Sequence, residues 1–379
     1  MKYDLIIRGG TIVDPAQEIH ARKDVAFAGG LVAAIEDSIA PEAGREVVDA
    51  AGRLVCPGLV DLHVHVFPGV SHYGIDPDPT CLSRGATTVM DFGSTGADTF
   101  EGFRRFVIDV SDTRIFTLLN ISSLGMISQD VGELALPQFV DVDRTVAMIE
   151  QHRDVILGVK VRLSNWLVSE ACGMMPLHKA REAADATRLP LMVHPQAAWC
   201  DSLDDILAVM GRGDVLTHLY HPMECGIFDD QGNVRTSVRD AAERGVMFDV
   251  GHGQGSFDWA MADSGLAQRL LPHVISSDLH FHNVHGPVYD LVGVASKFLH
   301  LGLSLDDVIA RVTRAPADVL GMGDRIGTLA PGAFGDAVVL EERAGAFSME
   351  DAFGTVRTVE RRLEPIVVVK GGRIYRDHC

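Results

Sequence analysis

The sequence predicts an α/β protein in which a (β/α)8 TIM barrel carries a small β-sandwich domain formed by both chain ends. Eight short apolar stretches alternate with amphipathic ones between residues 54 and 324, and both chain ends consist of short apolar runs broken by glycine pairs. A barrel of this kind typically takes about 250 residues. A doubly wound open sheet is the alternative, but it normally carries a Gly-rich phosphate loop after its first strand, where this chain has His63-Val64-His65.

The two chain ends are predicted to form hairpin strands. Residues 1–53 contain the runs DLIIRGGTIVD, DVAFAGGLVAAI and EVVDAAGRLV, and residues 325–379 contain IGTLAPGAFGDAVVLE and PIVVVKGGRIYR. Glycine pairs between apolar runs are typical of the turns that join antiparallel strands. The simplest arrangement therefore brings residues 1–53 and 325–379 into one β-sandwich domain and leaves residues 54–324 as the barrel.

The middle segment contains eight candidate strands, in the order LVCPGLVDLHVHV, ATTVMDFG, RIFTLLNIS, VILGVKVRL, LPLMVHP, DVLTHLY, GVMFDVGHG and HVISSDLH. Amphipathic stretches with helical periodicity lie between several of them, namely DRTVAMIEQHRD, HKAREAADATR, SLDDILAVMGR and SVRDAAERG. This alternation is typical of β/α units around a parallel sheet.

Composition limits the classes of partner and location. The 379 residues carry a formal net charge of -19, which disfavours nucleic acid and anionic membranes as partners. We see neither a secretory signal nor an apolar run long enough to cross a bilayer, so a cytoplasmic location is expected. The six cysteines are scattered without a C-x-x-C pair, which predicts neither a disulfide framework nor a cysteine zinc site. A small-molecule substrate is the expected partner, and a homo-oligomer stays open.

Ionisable side chains stand at the C-terminal ends of five candidate strands, where barrel enzymes place their reactive groups. His63 and His65 lie on the first strand, and because residues i and i+2 face the same side, both imidazoles point one way. The later strands add four more such residues, Lys160, His194, His218 and Asp278. Such groups are costly to bury unless they bind one another or a metal ion, so the pattern predicts a metal site.

Simpler interpretations of the same residues stay open at this point. The histidines could be core imidazoles with satisfied hydrogen bonds or a polar strand edge. Lys160 could be a surface lysine or a buried ion-pair partner, and Asp278 could be a helix cap.

The motifs together resemble the amidohydrolase superfamily of metal-dependent hydrolases. They are P-G-L-V followed by D-L-H-V-H at 61–65, G-V-K-V-R at 158–162, the V-H of His194, the T-H of His218 and S-S-D-L-H at 276–280. Within it, GVKVR, DVGHGQGSF at 249–257 and ISSDLHFHN at 275–283 resemble the amidohydrolase/deacetylase branch, which is related to dihydroorotases. The resemblance implies two divalent metal ions, for which Zn²⁺ is the leading candidate. By this resemblance, His63, His65 and Asp278 bind one ion, His194 and His218 bind the other, and Lys160 bridges the two.

The bridging lysine needs a chemical explanation, because an ammonium group cannot bind a metal. Burial among aliphatic neighbours favours the neutral amine, which can add carbon dioxide and become a carbamate with two ligating oxygens. The resemblance then implies that a hydroxide shared by the metals attacks a carbonyl carbon while Asp278 acts as general base and acid. The expected reaction removes an acyl group from a small carboxylate-bearing molecule, and an acetyl group is the leading candidate. The alternatives are a cyclic amide hydrolase and a catalytically silent scaffold.

Most of the expected substrate contacts follow from strand alternation, and His252 is a candidate because its flanking glycines permit close approach of the backbone to a ligand. Arg162 lies two residues after Lys160 and is the candidate for binding a substrate carboxylate, or else makes a surface ion pair. Dihydroorotases carry such an arginine two positions after their second motif histidine, where this chain has Phe67. Further candidates for substrate binding, or for holding the metal ligands, are Tyr220, His252 and His280. The loop residues Trp166, Met174 and Met175 either wall an apolar subsite or pack in the ordinary way.

Overall fold

The computed structural model describes residues 1–376, so Cys379 lies outside the described residues. The strands in chain order are β1 (Tyr3–Arg8), β2 (Thr11–Asp14), β3 (Ile19–Arg22), β4 (Asp24–Ala28), β5 (Leu31–Glu36), β6 (Gly44–Asp49), β7 (Leu54–Pro57), β8 (Leu59–Val64), β9 (Ala86–Asp91), β10 (Arg114–Asn120), β11 (Ile156–Arg162), β12 (Leu191–His194), β13 (Val215–Leu216), β14 (Met247–Phe248), β15 (Ala337–Glu350), β16 (Val356–Lys370) and β17 (Arg373–Ile374).

The α-helices are α1 (Pro77–Thr80), α2 (Phe100–Phe103), α3 (Val142–Gln151), α4 (Met175–Thr187), α5 (Leu203–Val209), α6 (Thr236–Arg244), α7 (Trp259–Ala267), α8 (Leu291–His300), α9 (Leu305–Val312) and α10 (Arg314–Val319). Helices α3 to α6 lie where the amphipathic stretches predict them. Two of these helices begin with side-chain caps: Asp141 accepts a hydrogen bond from a backbone amide of α3, and Ser202 and Asp205 form a capping box on α5. Along residues 1–376, no helix combines the length and apolarity that crossing a membrane requires.

The central sheet has seven parallel strands in the order β14-β13-β12-β11-β10-β9-β8. This sheet, with helices between its strands, confirms the predicted (β/α)8 barrel. Buried aliphatic side chains such as Val89, Leu119, Val159 and Val193 supply its core. The carboxyl ends of its strands therefore gather at one mouth.

The predicted eighth strand closes the barrel without forming a regular ladder. Single parallel bridges join Val274 to Asp249 on one side and Leu279 to Val64 on the other. Asp61 reinforces the closure, because its Oδ1 accepts a hydrogen bond of 3.0 Å from the backbone N of Ser277. Closure thus depends partly on a buried carboxylate.

The stretch predicted as one first strand is two strands that belong to different sheets. β7 pairs with β2 and β15, whereas β8 pairs with β9 in the barrel. Gly58 lies between them, and a Cβ at this position would collide with the hydroxyl of Thr87. The chain therefore crosses from one sheet to the other at a residue that must lack a side chain.

Two further sheets form the β-rich part of the molecule. One has the order β5-β4-β1-β6, and the other, β17-β16-β15-β7-β2-β3, joins strands from both chain ends. Apolar side chains from both sheets, including Leu5, Val25, Ile12 and Val339, share one buried cluster. The additional β-rich sheets predicted for the chain ends are confirmed, and the domain boundaries stay a prediction.

The hairpin β15–β16 is longer than a sandwich alone requires. Its 14-residue and 15-residue strands run from the sandwich sheet along helix α8, where the backbone N of Leu363 donates to Ser296 Oγ at 2.9 Å. The loop 351–355 at its tip reaches the mouth of the barrel. Residues after 325 therefore contribute to more than the sandwich.

Candidate metal centre

All six candidate ligands meet in one cavity at the C-terminal mouth of the barrel. The cavity has a volume of about 340 Å³, and its wall contains His63, His65, Lys160, His194, His218 and Asp278. Each of the six side chains is buried, with Asp278 the most accessible at 7%. The volume suits a small molecule.

The Asp278 carboxylate lies at the centre of the group. Its Oδ1 is 3.3 Å from Nε2 of His63 and 3.3 Å from Nε2 of His65, yet this buried oxygen accepts no hydrogen bond from any described residue. Ligating atoms of His63, His218 and Asp278 all lie within 4.8 Å of one another. A buried carboxylate oxygen without a donor, facing imidazole nitrogens, fits the ligand set of a divalent cation.

The second pair of histidines is equally close. His218 Nε2 lies 2.7 Å from His194 Nδ1, and His194 Nε2 lies 3.0 Å from Ser164 Oγ. His218 Nδ1 lies 2.7 Å from the carbonyl oxygen of Gly251. Because a carbonyl only accepts, this contact places the proton of His218 on Nδ1 and turns the lone pair of Nε2 into the cavity.

Polar residues behind the first two histidines orient them in the same way. His63 Nδ1 is 3.0 Å from Thr217 Oγ1, whose hydroxyl donates to Asp249 Oδ2 at 2.7 Å. His65 Nδ1 is 3.0 Å from Ser94 Oγ. Such partners fix the orientation of metal-binding imidazoles. No motif in the sequence marks Thr217, Asp249 or Ser94 as partners of these histidines, although Thr217 directly precedes His218.

Burial sets the protonation of the histidines and the aspartate. It lowers the pKa of His63, His194 and His218 well below the ordinary value, so these rings are neutral, which is the form that binds metals. It also raises the pKa of Asp278 to about 6, so the carboxylate forms above that pH. Near neutral pH, the cluster offers lone pairs and one negative charge.

Lys160 lies 1% exposed on β11 and is held among aliphatic and aromatic groups. Its Nζ donates to the carbonyl oxygen of Phe92 at 3.2 Å and lies 4.3 Å from the Phe92 ring. Burial lowers the pKa of Lys160 to about 7, although the nearby Glu133 opposes this change. A Cβ on Gly93 would come within 2.6 Å of Lys160 Cγ, so only glycine leaves room there. A neutral amine is therefore accessible near pH 7.

The backbone at two of these positions is strained. His218 has φ of 63° and Asp278 has φ of 49°, the left-handed region that non-glycine residues rarely adopt. Such conformations cost about 1–3 kcal/mol each and cluster at functional sites. A glycine packs against each of these two residues. A Cβ on Gly251 would lie 2.8 Å from His218 Nδ1, and a Cβ on Gly253 would collide with the Asp278 carboxylate.

Arg162 lies in the cavity wall and makes a buried ion pair. Its Nη1 donates to Glu133 Oε1 at 3.1 Å, and its Nη2 donates to the Tyr73 hydroxyl at 3.3 Å. The Nε is buried and has no hydrogen-bond partner among residues 1–376. Asn120 Nδ2 in turn donates to Glu133 Oε2 at 3.0 Å. Glu133 comes from the long loop after β10, where no local pattern marks it in the sequence.

Of the other residues predicted to contact the substrate, one lines the cavity and two do not. His280 lines the cavity and stacks on Tyr73 with ring centroids 4.4 Å apart. Tyr220 and His252, by contrast, are placed outside the cavity wall: the Tyr220 hydroxyl donates to Leu270 O at 2.8 Å, and His252 Nε2 lies 2.7 Å from Lys297 Nζ.

Tyr220 and His252 both follow irregular backbone, so the alternation that predicted a cavity position for Tyr220 does not hold there. Strand β13 ends at Leu216, and the positive φ of His218 then turns the chain before Tyr220. His252 stands between Gly251 and Gly253, which both have positive φ. The rule that residues i and i+2 share a face holds only within an extended strand.

The loop residues also separate. Trp166 lines the cavity, whereas Met174 and Met175 pack against the main hydrophobic core, as their ordinary interpretation predicts. Two of the scattered cysteines meet, with 3.3 Å between Cys200 Sγ and Cys225 Sγ, and both are free thiols.

A wider groove of about 960 Å³ lies at the opposite, N-terminal ends of the strands and is lined by residues such as Arg181, Asp214 and Met247. None of the six candidate ligands lines it. The C-terminal mouth is also where (β/α)8 barrels carry their active sites, so we place the candidate site there.

The fold and this cluster define a (β/α)8-barrel enzyme with a buried polar centre suited to divalent metal ions. Residues 54–375 match the amidohydrolase family, and the chain belongs to that family. It is accordingly a hydrolase that acts on ester or non-peptide C–N bonds.

Relatives of known name agree with this class. Deacetylase Atu3266 from Agrobacterium fabrum is 34% identical over 354 residues, which cover 92% of this chain and 85% of the relative. A deacetylase from Enterococcus faecalis is 32% identical over 99% of this chain and 100% of its own length. Among solved structures, an adenine deaminase matches with a TM-score of 0.91 at 32% identity, over 99% of this chain and 100% of that one. A dihydroorotase matches with a TM-score of 0.88 at 31% identity, over 98% of each chain.

Proposed function

We propose that this protein is a binuclear metal-dependent deacetylase of a small molecule that carries a carboxylate. The observation that carries the proposal is the cluster of six buried side chains, four of them neutral imidazoles, around the unpartnered Oδ1 of Asp278. The identity of 34% and 32% to two deacetylases, over almost the whole chain, supports the choice of acyl group.

In this proposal, His63, His65 and Asp278 would hold one ion, His194 and His218 would hold a second, and Lys160, as a carbamate, would supply an oxygen to each. Zinc is the first candidate because imidazole and carboxylate ligands suit it. When bound, such ions polarise a carbonyl group and lower the pKa of water. Burial lowers the pKa of Lys160 to about 7, so the neutral amine, which is the form that reacts with carbon dioxide, is accessible near neutral pH.

The residues of the chain have separate tasks in the reaction. Asp278 accepts the proton of the attacking water at its carboxylate and passes it to the departing oxygen or nitrogen. Thr217, Ser94 and the carbonyl of Gly251 keep the imidazoles turned toward the cavity. The reacting carbonyl then lies among buried side chains, where fixed charges act strongly.

Arg162 is the proposed binding group for the substrate carboxylate. The pKa of its guanidinium is raised above the ordinary value, since Tyr73 and Glu133 outweigh the opposing effect of burial, so the group stays charged. Two of its five N–H groups donate to residues the structure describes, which leaves others for a ligand. Phe67, which stands where dihydroorotases carry an arginine, packs on Phe103 at 5.0 Å and takes no part in the cavity wall.

Replacing Arg162 with lysine is expected to raise KM for a carboxylate substrate by about 10-fold to 100-fold, because a charged hydrogen bond contributes roughly 1.5–3 kcal/mol. Glu133→Gln keeps the size of the side chain that holds Nη1 and should raise KM less. Steady-state kinetics on a carboxylate substrate and on its carboxamide analogue measure the effect. An equal rise in KM for both substrates would contradict carboxylate binding by Arg162.

The proposed function itself is tested with a substrate panel. The purified protein, with its metal content measured, is assayed on acetyl esters and acetyl amides of small hydroxy and amino acids, on cyclic amides, and on adenine. We expect hydrolysis of acetyl compounds, loss of activity with a chelator and recovery with Zn²⁺. The cyclic amides represent the second candidate, which the dihydroorotase match favours. Turnover of cyclic amides alone would replace the deacetylase proposal with that candidate.

The remaining expectations concern where the protein acts and with what. A cytoplasmic location and the lack of nucleic acid or membrane partners stay predictions from the sequence, and the oligomeric state stays open. A catalytically silent scaffold would be favoured if the protein bound no metal and hydrolysed no member of the panel.

A further inference from the structure

The tip of the long hairpin is fixed to the barrel beside the candidate site. Asp351 is 1% exposed, and its Oδ1 accepts hydrogen bonds of 2.9 Å from the backbone N of Phe353 and from that of Thr355. The backbone N of Ala352 donates to Phe257 O at 2.9 Å, and Trp259 Nε1 donates to Thr355 O at 3.1 Å. The loop 351–355 is thus fixed both by hydrogen bonds within the loop and by hydrogen bonds to the barrel.

Contacts below the tip hold the hairpin in the same register. Arg357 Nη2 donates to Asp263 Oδ2 at 2.6 Å, and its guanidinium lies 4.9 Å from the Trp259 ring. Lys297 Nζ donates to Glu350 O at 2.5 Å. With anchors on both strands, the tip is a preorganised part of the cavity mouth.

One large apolar side chain on this anchored tip is left about half exposed. Phe353 is 47% exposed and lines the same cavity as the candidate ligands. Trp166, which is 45% exposed, and Met223 line that cavity too. Large apolar side chains left half exposed beside a polar centre form a surface that an apolar group can cover.

We propose that Phe353 is a specificity-determining residue, which the long hairpin places at the active site to contact an apolar group on the substrate. The inference rests on the proposed function and adds to its substrate class: the carboxylate-bearing molecule also carries an apolar side group. Arg162 and the polar ligands bind the charged and reacting parts, and Phe353 with Trp166 covers the remainder. The strand pattern of the sequence gives no sign of this role.

Phe353→Ala is expected to raise KM about 10-fold or more for acyl substrates with a large apolar side group, since apolar contacts of this size discriminate 10-fold to 200-fold. The KM of substrates without such a group and the melting temperature should change little. The KM of Phe353→Leu for substrates with a large apolar side group should lie between those of the wild-type protein and Phe353→Ala. Val356→Ala is the matched control, because Val356 is exposed on the same hairpin but lies outside the cavity wall.

The experiment is a side-group series assayed with the four proteins, paired with calorimetric binding of the corresponding carboxylic acids. A rise in KM that depends on the size of the apolar side group, and that only the Phe353 variants show, supports the inference. An equal change across the series, or the same change in Val356→Ala, overturns it. Should the wild-type protein hydrolyse no member, the proposed function fails, and the binding data still decide the inference. Apolar acids must then bind more tightly than small ones, Phe353→Ala must remove that preference, and Phe353→Leu must reduce it.

Discussion

Asp278→Asn is expected to lower kcat/KM for the preferred substrate by about 10²-fold to 10⁴-fold, the range that general acid and base catalysis typically contributes. Asparagine has almost the same shape and keeps one oxygen, so it can still ligate weakly. It cannot accept a proton near neutral pH, and the proton of the attacking water then has no acceptor at the position of Asp278.

The kinetics must be read together with metal content and melting temperature. Activity loss with metal content retained assigns the effect to proton transfer, and activity loss with metal loss assigns it to ligation. An Asp278→Asn protein that keeps both its metals and its full activity would contradict the role we give to Asp278. Asp61→Asn is a useful comparison, because Asp61 is also a buried aspartate but contacts the closing segment rather than the cavity.

The pH profile gives a second measure of the same group. Burial raises the pKa of Asp278 to about 6, and bound cations would favour the carboxylate and pull that pKa down again. Below the pKa the carboxyl is protonated and cannot act as a base, so kcat/KM should fall as the pH drops through about 6 or lower. Asp278→Asn should lack this acid limb.

The second large effect is expected from Lys160→Met, which keeps most of the side-chain volume but can neither add carbon dioxide nor ligate. We expect metal affinity to fall by at least about 100-fold, the upper end of the loss caused by removing a partner of a metal ligand. Activity should fall with it. Metal analysis after dialysis and intact mass of the wild-type protein measure the two parts of this prediction.

Lys160→Ala extends the experiment, since it opens space where the lysine stem lay. A short carboxylate such as acetate or propionate could enter that space and supply the two oxygens of the missing carbamate, so it should restore part of the activity. Lys160→Met leaves no such space and is the matched control. A Lys160→Met protein that keeps two metals and its activity would show that the lysine is structural.

Much of the barrel was predictable because local patterns specify it. Strands β9 to β12 lie inside the apolar stretches that predict them, and helices α3 to α6 coincide with amphipathic stretches. His63, His65, Lys160 and His194 could be named as site residues because each stands in or directly beside a buried strand, where strand direction decides which end of the barrel a residue reaches. Their role as ligands stays a prediction.

The structure could not be predicted from sequence patterns wherever the backbone leaves regular strand geometry. The final segment of the barrel holds only single bridges, and the left-handed backbone at Asp278 and His218 is invisible in residue types. That backbone turns Tyr220 away from the cavity, while His252 sits in a glycine turn. An alternation rule carries no information past the end of a strand.

The sequence by itself determined the fold class, the strand order along the chain and the set of ionisable residues, because these follow from hydrophobic periodicity and residue chemistry over short spans. Only the tertiary structure decided which distant residues complete the cavity. Glu133 reaches Arg162 from a long loop, and Phe353 arrives on a hairpin that begins in another sheet. Both contacts depend on packing between segments far apart in sequence, and no periodicity within one segment records which other segment it will meet.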